Sequence, residues 1–150
     1  MVQIGDLTLP EGAALAPMAG VSDAAMRLLC GEQGAAWCVS EMLSAKGWIY
    51  SQGKNRAAQE LLTRFEGEKI AALQLFGSDS CIMADAVQSL ESAGFEFFDV
   101  NFGCPAPKIT GNGEGSAMMF QSAAPEYCWL RVLPCTAIAA APACSQICAT

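Results

Sequence analysis

The chain has 150 residues and a formal net charge of −7, with 53% hydrophobic residues, 15% charged residues and no histidine. The charged share is low beside the roughly 25% of an average soluble protein. An acidic chain is poorly suited to binding nucleic-acid phosphates on its own, and without histidine it lacks the commonest general base and metal ligand.

The N-terminus and the cysteines bear on compartment and metal content. The first residues contain no basic region followed by an apolar run, so we expect no secretory signal. No uninterrupted apolar run reaches about 18 residues, so we expect no membrane span. We therefore expect a cytoplasmic chain with reduced thiols. None of the eight cysteines forms a Cys-x-x-Cys pair, so we also expect no metal site.

The first strand–helix unit begins at residue 13. Residues 13–18 form a short apolar run that predicts a strand. Ser22 or Asp23 has the side-chain chemistry to cap the helix that follows. The expected apolar face of this helix consists of Ala25, Met26, Leu29 and Cys30.

The second unit has a longer polar part. Residues 36–42 predict a strand that carries Glu41 near its end. Residues 44–62 predict a helical stretch that is interrupted at Gly47 and Gly53, since glycine weakens a helix interior.

The third unit contains the clearest helix of the chain. Residues 70–76 predict a strand that Gly77 stops, and Ser78 or Asp79 can cap the helix that follows. The apolar face of this helix consists of Ile82, Met83, Ala86, Val87 and Leu90. Residues 95–102 predict a fourth strand.

The spacing of these elements indicates an α/β fold with parallel strands. The four strands begin near residues 13, 36, 70 and 95, so one unit takes about 27 residues, close to the roughly 31 residues per unit of a (β/α)₈ barrel. The strands are continuously apolar, which is typical of a parallel sheet covered on both faces. A doubly wound sheet fits the spacing equally well, although its usual Gly-x-Gly-x-x-Gly loop is absent.

The end of the fourth strand has the composition of a functional loop. An apolar run ends on Asn101 and is broken by Gly103, Cys104 and Pro105. Because ligands of α/β proteins bind at the carboxyl ends of strands, a thiol at this position is suited to donate a proton, attack as a nucleophile or bind a metal. Equally, Cys104 is consistent with a small apolar residue at a turn.

Five short segments, taken together with their order and spacing, are the most informative part of the sequence. They are residues 16–23 (Ala-Pro-Met-Ala-Gly-Val-Ser-Asp), 40–42 (Ser-Glu-Met), 74–77 (Gln-Leu-Phe-Gly), 99–105 (Asp-Val-Asn-Phe-Gly-Cys-Pro) and 113–119 (Gly-Glu-Gly-Ser-Ala-Met-Met). In these segments and their spacing the chain resembles the tRNA-dihydrouridine synthase family over about residues 3–119. The resemblance implies the first half of a TIM-type (β/α)₈ barrel that binds FMN.

The resemblance also implies how the cofactor is held. Pro17, Met18 and Ala19 match positions whose backbone lies along the flavin, and Gln74 matches the residue that hydrogen-bonds the isoalloxazine ring. NADPH would reduce the flavin. In the intact family the enzyme then reduces the C5–C6 double bond of selected uridines in tRNA.

The expected substrate contacts lie in the loop after the fourth strand. Cys104 matches the catalytic thiol that protonates the uracil carbon next to the one receiving hydride. Asn101 would hydrogen-bond the uracil edge. Two other interpretations stay open: another FMN barrel that acts on free pyrimidines, and a non-catalytic fragment that self-associates through open sheet edges.

Residues 120–150 differ in composition from the rest of the chain. Their only charged residues are Glu126 and Arg131, and they contain four of the eight cysteines. We therefore predict two parts: a partial FMN-binding barrel over residues 1–119, and a Cys- and Ala-rich tail over 120–150 that lies outside the family fold. The tail reads like translation out of register, and a genuine divergent tail is the alternative. We expect the truncated chain to be inactive.

Overall fold

A parallel five-stranded sheet forms the centre of the protein. The computed structural model describes residues 2–120 and 138–140. In spatial order the strands of this sheet are β3 (Ala14–Leu15), β4 (Trp37–Ser44), β5 (Ala71–Phe76), β6 (Phe97–Val100) and β7 (Ile138–Ala140). Strands that follow one another in the chain are neighbours in the sheet, and every pair is parallel. This order fits a barrel, because the strand order of a doubly wound sheet reverses at a switch point.

Helices connect the strands. They are α1 (Ala24–Glu32), α2 (Ala45–Tyr50), α3 (Arg56–Leu61), α4 (Ser80–Leu90) and α5 (Pro107–Thr110), with 3₁₀ turns at Glu91–Ala93 and Gly115–Phe120. The side chains of Asp23, Ser44, Asn55 and Asp79 each accept a backbone N–H at the start of a helix. Ser44 is at once the last residue of β4 and the N-cap of α2. No described helix is long and apolar enough to cross a membrane.

The third unit agrees with its sequence-based prediction. Asp79 caps α4 by accepting from the backbone N–H groups of Cys81 and Ile82. The buried face of α4 consists of Met83, Ala86, Val87 and Leu90. The prediction for this helix is confirmed. It was possible because the helix is defined by local signals, namely a cap and an apolar stripe of helical period.

The predicted face of α1 is wrong. The residues buried on this helix are Ala24, Arg27 and Gly31, whereas Leu29 is 55% exposed. Arg27 is buried because its Nε lies 3.0 Å from Glu68 Oε2, with both side chains 2% exposed, and its Nη1 donates to the Ser22 carbonyl at 3.0 Å. An arginine thus occupies a position that the apolar pattern assigns to solvent.

The N-terminal segment forms an antiparallel hairpin that the sequence analysis does not anticipate. Its strands are β1 (Val2–Ile4) and β2 (Leu7–Leu9). Leu9 is 2% exposed and packs in one cluster with Val39, Ala72 and Phe97 of β4, β5 and β6. The hairpin therefore covers the amino-terminal half of one sheet face.

The opposite sheet face packs against the helices. Leu73 and Leu75 of β5 and Phe98 and Val100 of β6 form a cluster with the buried face of α4. Side chains alternate along each strand, so the hairpin-covered face also carries Gln74 and Asp99. This inner face is apolar near the hairpin and polar towards the carboxyl ends of the strands.

One strand comes from the segment after residue 119. β7 pairs with β6 in parallel, with Phe98 opposite Ile138 and Val100 opposite Ala140. The sequence analysis predicts no element in that segment. Residues 121–137 and 141–150 lie outside the described part of the chain, and the domain boundary near residue 119 stays a prediction.

Candidate functional site

Polar side chains meet at the carboxyl ends of β5 and β6. Gln74 of β5 is 1% exposed and Asp99 of β6 is 6% exposed. The two residues are opposite each other in the parallel register. Asn101 directly follows β6, and its backbone N–H donates to the Leu75 carbonyl at 2.9 Å, which extends the pairing of the two strands to this position.

Hydrogen bonds join the side chains of Asp99, Gln74 and Asn101 to one another and to the backbone N–H of Cys104. We call this series of hydrogen bonds the amide chain. Gln74 donates from Nε2 to Asp99 Oδ2 at 2.5 Å. Asn101 donates from Nδ2 to Gln74 Oε1 at 3.1 Å. The Asn101 Oδ1 atom accepts from the backbone N–H of Cys104 at 2.9 Å and from that of Gly103 at 3.1 Å. The amide chain therefore links the buried part of β5 and β6 to the segment of residues 101–106, which we call the cysteine loop.

Cys104 is held from two sides. On one side Asn101 binds its N–H, and on the other the backbone N–H of Ser116 donates to the Cys104 carbonyl at 3.0 Å. Gly115 has a φ of +59°, and a Cβ there would lie 2.5 Å from the Cys104 carbonyl oxygen. The loop of residues 111–115, which we call the Gly-rich loop, thus packs its backbone directly against the cysteine loop. The half-buried Cys104 lies at the mouth of the sheet.

Burial changes the titration of Asp99. Desolvation raises its pKa from 3.8 to about 6, although the hydrogen bond from Gln74 acts in the opposite direction. Desolvation disfavours the charged form of a carboxyl group. At neutral pH this buried group is therefore mainly ionised at a cost in stability.

The loop after β3 is fixed by two side chains. Ser22 Oγ accepts from the Met18 N–H at 2.9 Å and lies 3.2 Å from the Met18 carbonyl, to which it donates. A Glu41 carboxylate oxygen accepts from the backbone N–H of Gly20. Glu41 thereby joins the carboxyl end of β4 to this loop. Pro17 is half-buried, while Met18 and Ala19 are exposed.

An open cleft of about 910 Å³ lies at the same end of the sheet. Its walls include Ala19, Lys46, Tyr50, Lys108 and Glu114. Burial raises the pKa of Glu114, and the charge of Lys46 acts against that rise. Neither Gln74 nor Cys104 lines the cleft, so it adjoins the amide chain and does not contain it.

The structure brings three of the sequence-predicted site residues together. Gln74, Asn101 and Cys104 are joined by hydrogen bonds, whereas Pro17, Met18 and Ala19 lie in the loop after β3, two strands away from β5. The sequence analysis missed Asp99 as a site residue. Its signal was a carboxylate inside the apolar strand Phe97–Val100.

The comparisons with known proteins identify the family. The family model for dihydrouridine synthases matches residues 14–128. The chain belongs to the dihydrouridine synthase family. The fold is accordingly part of a TIM-type barrel, in line with the unreversed strand order.

Curated relatives of this family match the chain over most of its length. The tRNA-dihydrouridine synthase B of Shewanella oneidensis is 41% identical over 118 residues, which cover 79% of this chain and 36% of the relative. That of Vibrio parahaemolyticus is 41% identical over 121 residues, with the same coverage. The probable tRNA-dihydrouridine synthase of Rickettsia typhi is 34% identical over 119 residues. The chain thus spans about a third of the length of the curated relatives it matches.

The residues that are present fit part of a flavin. A planar ring with polar edges needs directional donors and acceptors. The side-chain amide of Gln74 has both, and the loop after β3 lies two strands away at the same end of the sheet. A flavin phosphate needs cations or helix N-termini, and the cations that line the cleft are Lys46 and Lys108. No group of three or more His, Cys, Asp or Glu within residues 2–120 and 138–140 could hold a metal ion.

Proposed function

We propose that this chain carries the ring-binding and proton-donating part of a flavin-dependent site that reduces uridine in tRNA to 5,6-dihydrouridine. The observation that carries the proposal is the position of Cys104 after the carboxyl end of β6. Asn101 accepts from its backbone N–H and donates in turn to the buried amide of Gln74. Membership of the dihydrouridine synthase family supports uridine reduction as the reaction in which this thiol would take part.

The proposed cofactor is FMN, with NADPH as the reductant. The backbone of Pro17, Met18 and Ala19 and the side chain of Gln74 would hold the isoalloxazine ring. When bound, the reduced flavin supplies a hydride to one carbon of the uracil double bond. Gln74 suits this role because its Oε1 and Nε2 atoms are already oriented by Asn101 and Asp99, and a preorganised group loses little entropy on binding a ligand.

The proposed role of Cys104 is to protonate the neighbouring uracil carbon from the opposite side of the ring. The hydride and this proton together convert the double bond into a single bond, and the thiolate that remains takes a proton from solvent. Cys104 lies in a loop held by hydrogen bonds on both sides. Asn101 Oδ1 already accepts two hydrogen bonds from the loop, so its proposed contact with the uracil edge relies on the second Nδ2 hydrogen.

The remaining partners belong to the same proposal. tRNA is the proposed substrate, and the chain spans 36% of the length of tRNA-dihydrouridine synthase B from Shewanella oneidensis. With a net charge of −7, this chain relies on contacts from elsewhere for most of its affinity for RNA. Acting alone, it would bind FMN weakly and tend to self-associate through the edges of its sheet.

The test compares two cysteine variants in a barrel completed with the remaining units of the Shewanella oneidensis relative. Cys104→Ala should lower uridine reduction by about 10²- to 10⁴-fold, the usual contribution of a general acid. Flavin reduction by NADPH should stay within about twofold, because the thiol takes part only in protonating uracil. Rapid-mixing absorbance at the flavin band separates the two half-reactions.

Cys81→Ala is the matched control, since Cys81 is an exposed cysteine on α4. It should leave both half-reactions unchanged. Equal loss of the two half-reactions in Cys104→Ala would contradict the role of the thiol. Reduction of free uracil without reduction of tRNA would contradict the proposed substrate.

A further inference from the structure

Asp99 has no part in the chemistry proposed above, yet it is the charged end of the amide chain. It is 6% exposed on a strand whose other residues, Phe97, Phe98 and Val100, are apolar and buried. A buried carboxylate without a function is costly, because burial disfavours its ionised form. Its side-chain hydrogen bond, accepted from Gln74 Nε2, joins it directly to the amide chain.

An ionised carboxylate differs from an amide in one property that matters here. Its oxygens only accept hydrogen bonds, whereas the end of an Asn or Gln side chain both donates and accepts. Gln74 must therefore turn its NH₂ group towards Asp99, which places its Oε1 atom towards Asn101. Asn101 must then turn its own NH₂ group towards Gln74.

The orientation of Asn101 decides whether the cysteine loop is held. With Nδ2 on Gln74, the Oδ1 atom of Asn101 faces the backbone N–H groups of Gly103 and Cys104 and accepts from both. If Asn101 were turned over, its NH₂ group would face two N–H donors, and three donors would lie together without an acceptor. The direction of the hydrogen bond between Gln74 and Asp99 thus decides whether Asn101 can accept from the loop.

We propose that Asp99 is the positioning residue that sets the direction of the amide chain and thereby fixes the Gly103–Cys104 backbone. The proposal follows from the order of donors and acceptors along the amide chain and needs no cofactor. Its consequence for uridine reduction rests on the proposed function of Cys104.

The first test measures hydrogen–deuterium exchange of the purified 150-residue chain by mass spectrometry at neutral pH. A peptide that spans residues 102–106 reports the Gly103, Cys104 and Ala106 amides, because Pro105 has no N–H and the first residue of a peptide carries no amide. In Asp99→Asn, residue 99 can turn either its oxygen or its NH₂ group to Gln74. The amide chain can then reverse whenever the Gly103 and Cys104 N–H groups are open to solvent, so the open state of the loop becomes easier to populate. Exchange of this peptide should become about fivefold faster, as expected when a hydrogen bond of typical net strength is lost.

A second variant tests direction separately from charge burial. In the double variant Asp99→Asn with Gln74→Glu, the acceptor-only group moves to residue 74. It can accept from the NH₂ group of residue 99 and from Nδ2 of Asn101, so the Asn101 oxygen again faces the loop. Exchange of the 102–106 peptide should return to within about twofold of the wild-type rate.

Ser40→Ala is the matched control. Ser40 Oγ accepts from the Gln74 backbone N–H at 3.0 Å and donates to the Glu41 carbonyl at 2.8 Å, so it is buried beside the amide chain without belonging to it. This variant should leave the exchange of the 102–106 peptide, measured relative to β5 peptides, unchanged.

Two results would overturn the proposal. One is wild-type exchange of the 102–106 peptide in Asp99→Asn, and the other is equally fast exchange in the single and double variants. A failure of the proposed function is distinguishable, because it would leave these exchange rates as expected while the completed barrel fails to reduce uridine.

Discussion

The inner face of the sheet has two layers that lie one pleat apart on the same strands. In the lower layer, β5 contributes Ala72 and β6 contributes Phe97, both packed under Leu9 of the N-terminal hairpin. In the upper layer, two residues further along, the same strands contribute Gln74 and Asp99. Backbone geometry and direction are shared, so the difference lies in the side chains alone.

The two layers contribute to stability in opposite ways. Apolar side chains that are removed from water stabilise the fold by roughly 25 cal/mol per Å². A buried carboxylate costs stability and provides a fixed charge. In parallel α/β sheets ligands bind at the carboxyl ends of the strands, so the buried carboxylate lies at the end of the sheet where we propose the ligand site. Substitutions within each layer test this division.

The largest change in stability is expected in the lower layer. Phe97 is 1% exposed, and its ring meets that of Trp37 edge-on at 5.6 Å between centroids. Phe97→Ala should lower the free energy of unfolding by about 3–5 kcal/mol, because a cavity opens beneath the hairpin. Urea denaturation measures the effect. Phe65→Ala, at a position 46% exposed, should cost less than about 1 kcal/mol, and equal losses in the two variants would remove the lower layer as a source of stability.

The upper layer should respond in the opposite direction. The folded-state pKa of Asp99 is about 6 and its ordinary value is 3.8. Between these values the folded chain keeps a proton that the unfolded chain has released, so stability falls as the pH rises through this window. Asp99→Asn should remove that fall and raise the free energy of unfolding at pH 7 by up to about 3 kcal/mol.

Thermal unfolding of Asp99→Asn and the wild type at pH 4, 5, 6 and 7 measures this difference in stability. The gap between Asp99→Asn and the wild type should be small at pH 4 and widest at pH 7. A gap that is constant over this range would show that the carboxylate is not destabilised by burial, and the contrast between the layers would then rest on packing alone.

A smaller effect is expected where the Gly-rich loop supports the upper layer. Gly115→Ala places a methyl group 2.5 Å from the Cys104 carbonyl oxygen in a residue with φ of +59°. We expect a loss of about 2 kcal/mol together with faster exchange of the cysteine loop, since both the backbone conformation and the contact are unfavourable for alanine. Gly103→Ala is the control, because nothing lies within 4 Å of a Cβ there; the same loss in both variants would argue against the close contact.

The smallest change in stability is expected at the N-terminus of α4, which belongs to neither layer. Asp79→Ala removes the cap that accepts two N–H groups of α4, and it should lower the free energy of unfolding by about 1 kcal/mol. Ser78→Ala, at the exposed neighbouring position, should have almost no effect in the same denaturation assay. A change larger than that of Phe97→Ala would mean that the helix layer, and not the inner face, dominates stability.

Much of the fold was predictable because its signals are local. The cap of α4 at Asp79, its apolar stripe and the strands β4, β5 and β6 can be recognised within short windows of sequence. The buried face of α1 could not, since Arg27 is paired with Glu68, 41 positions away. The hairpin was also missed, because strands of three residues carry too little periodicity to recognise.

The candidate site shows the same limit. The strand-end positions of Gln74 and Asn101 and the loop position of Cys104 follow from sequence, and their convergence follows from a parallel sheet. The order of donors and acceptors that joins them to Asp99 depends on the register of β5 and β6. This register cannot be predicted from a single sequence. The catalytic and cofactor roles assigned to these residues stay predictions.

The double role of Ser44 has a consequence for motion at the mouth of the sheet. Because this residue ends β4 and caps α2, no connecting segment separates strand from helix there. Residues 16–23 lie between β3 and α1, and residues 101–106 lie between β6 and α5. A helix joined directly to a strand cannot shift without disturbing the sheet, whereas longer connections open at lower free energy. Opening around the proposed tRNA substrate would therefore have to release the hydrogen bonds that hold these two segments, while β4 between them stays in place.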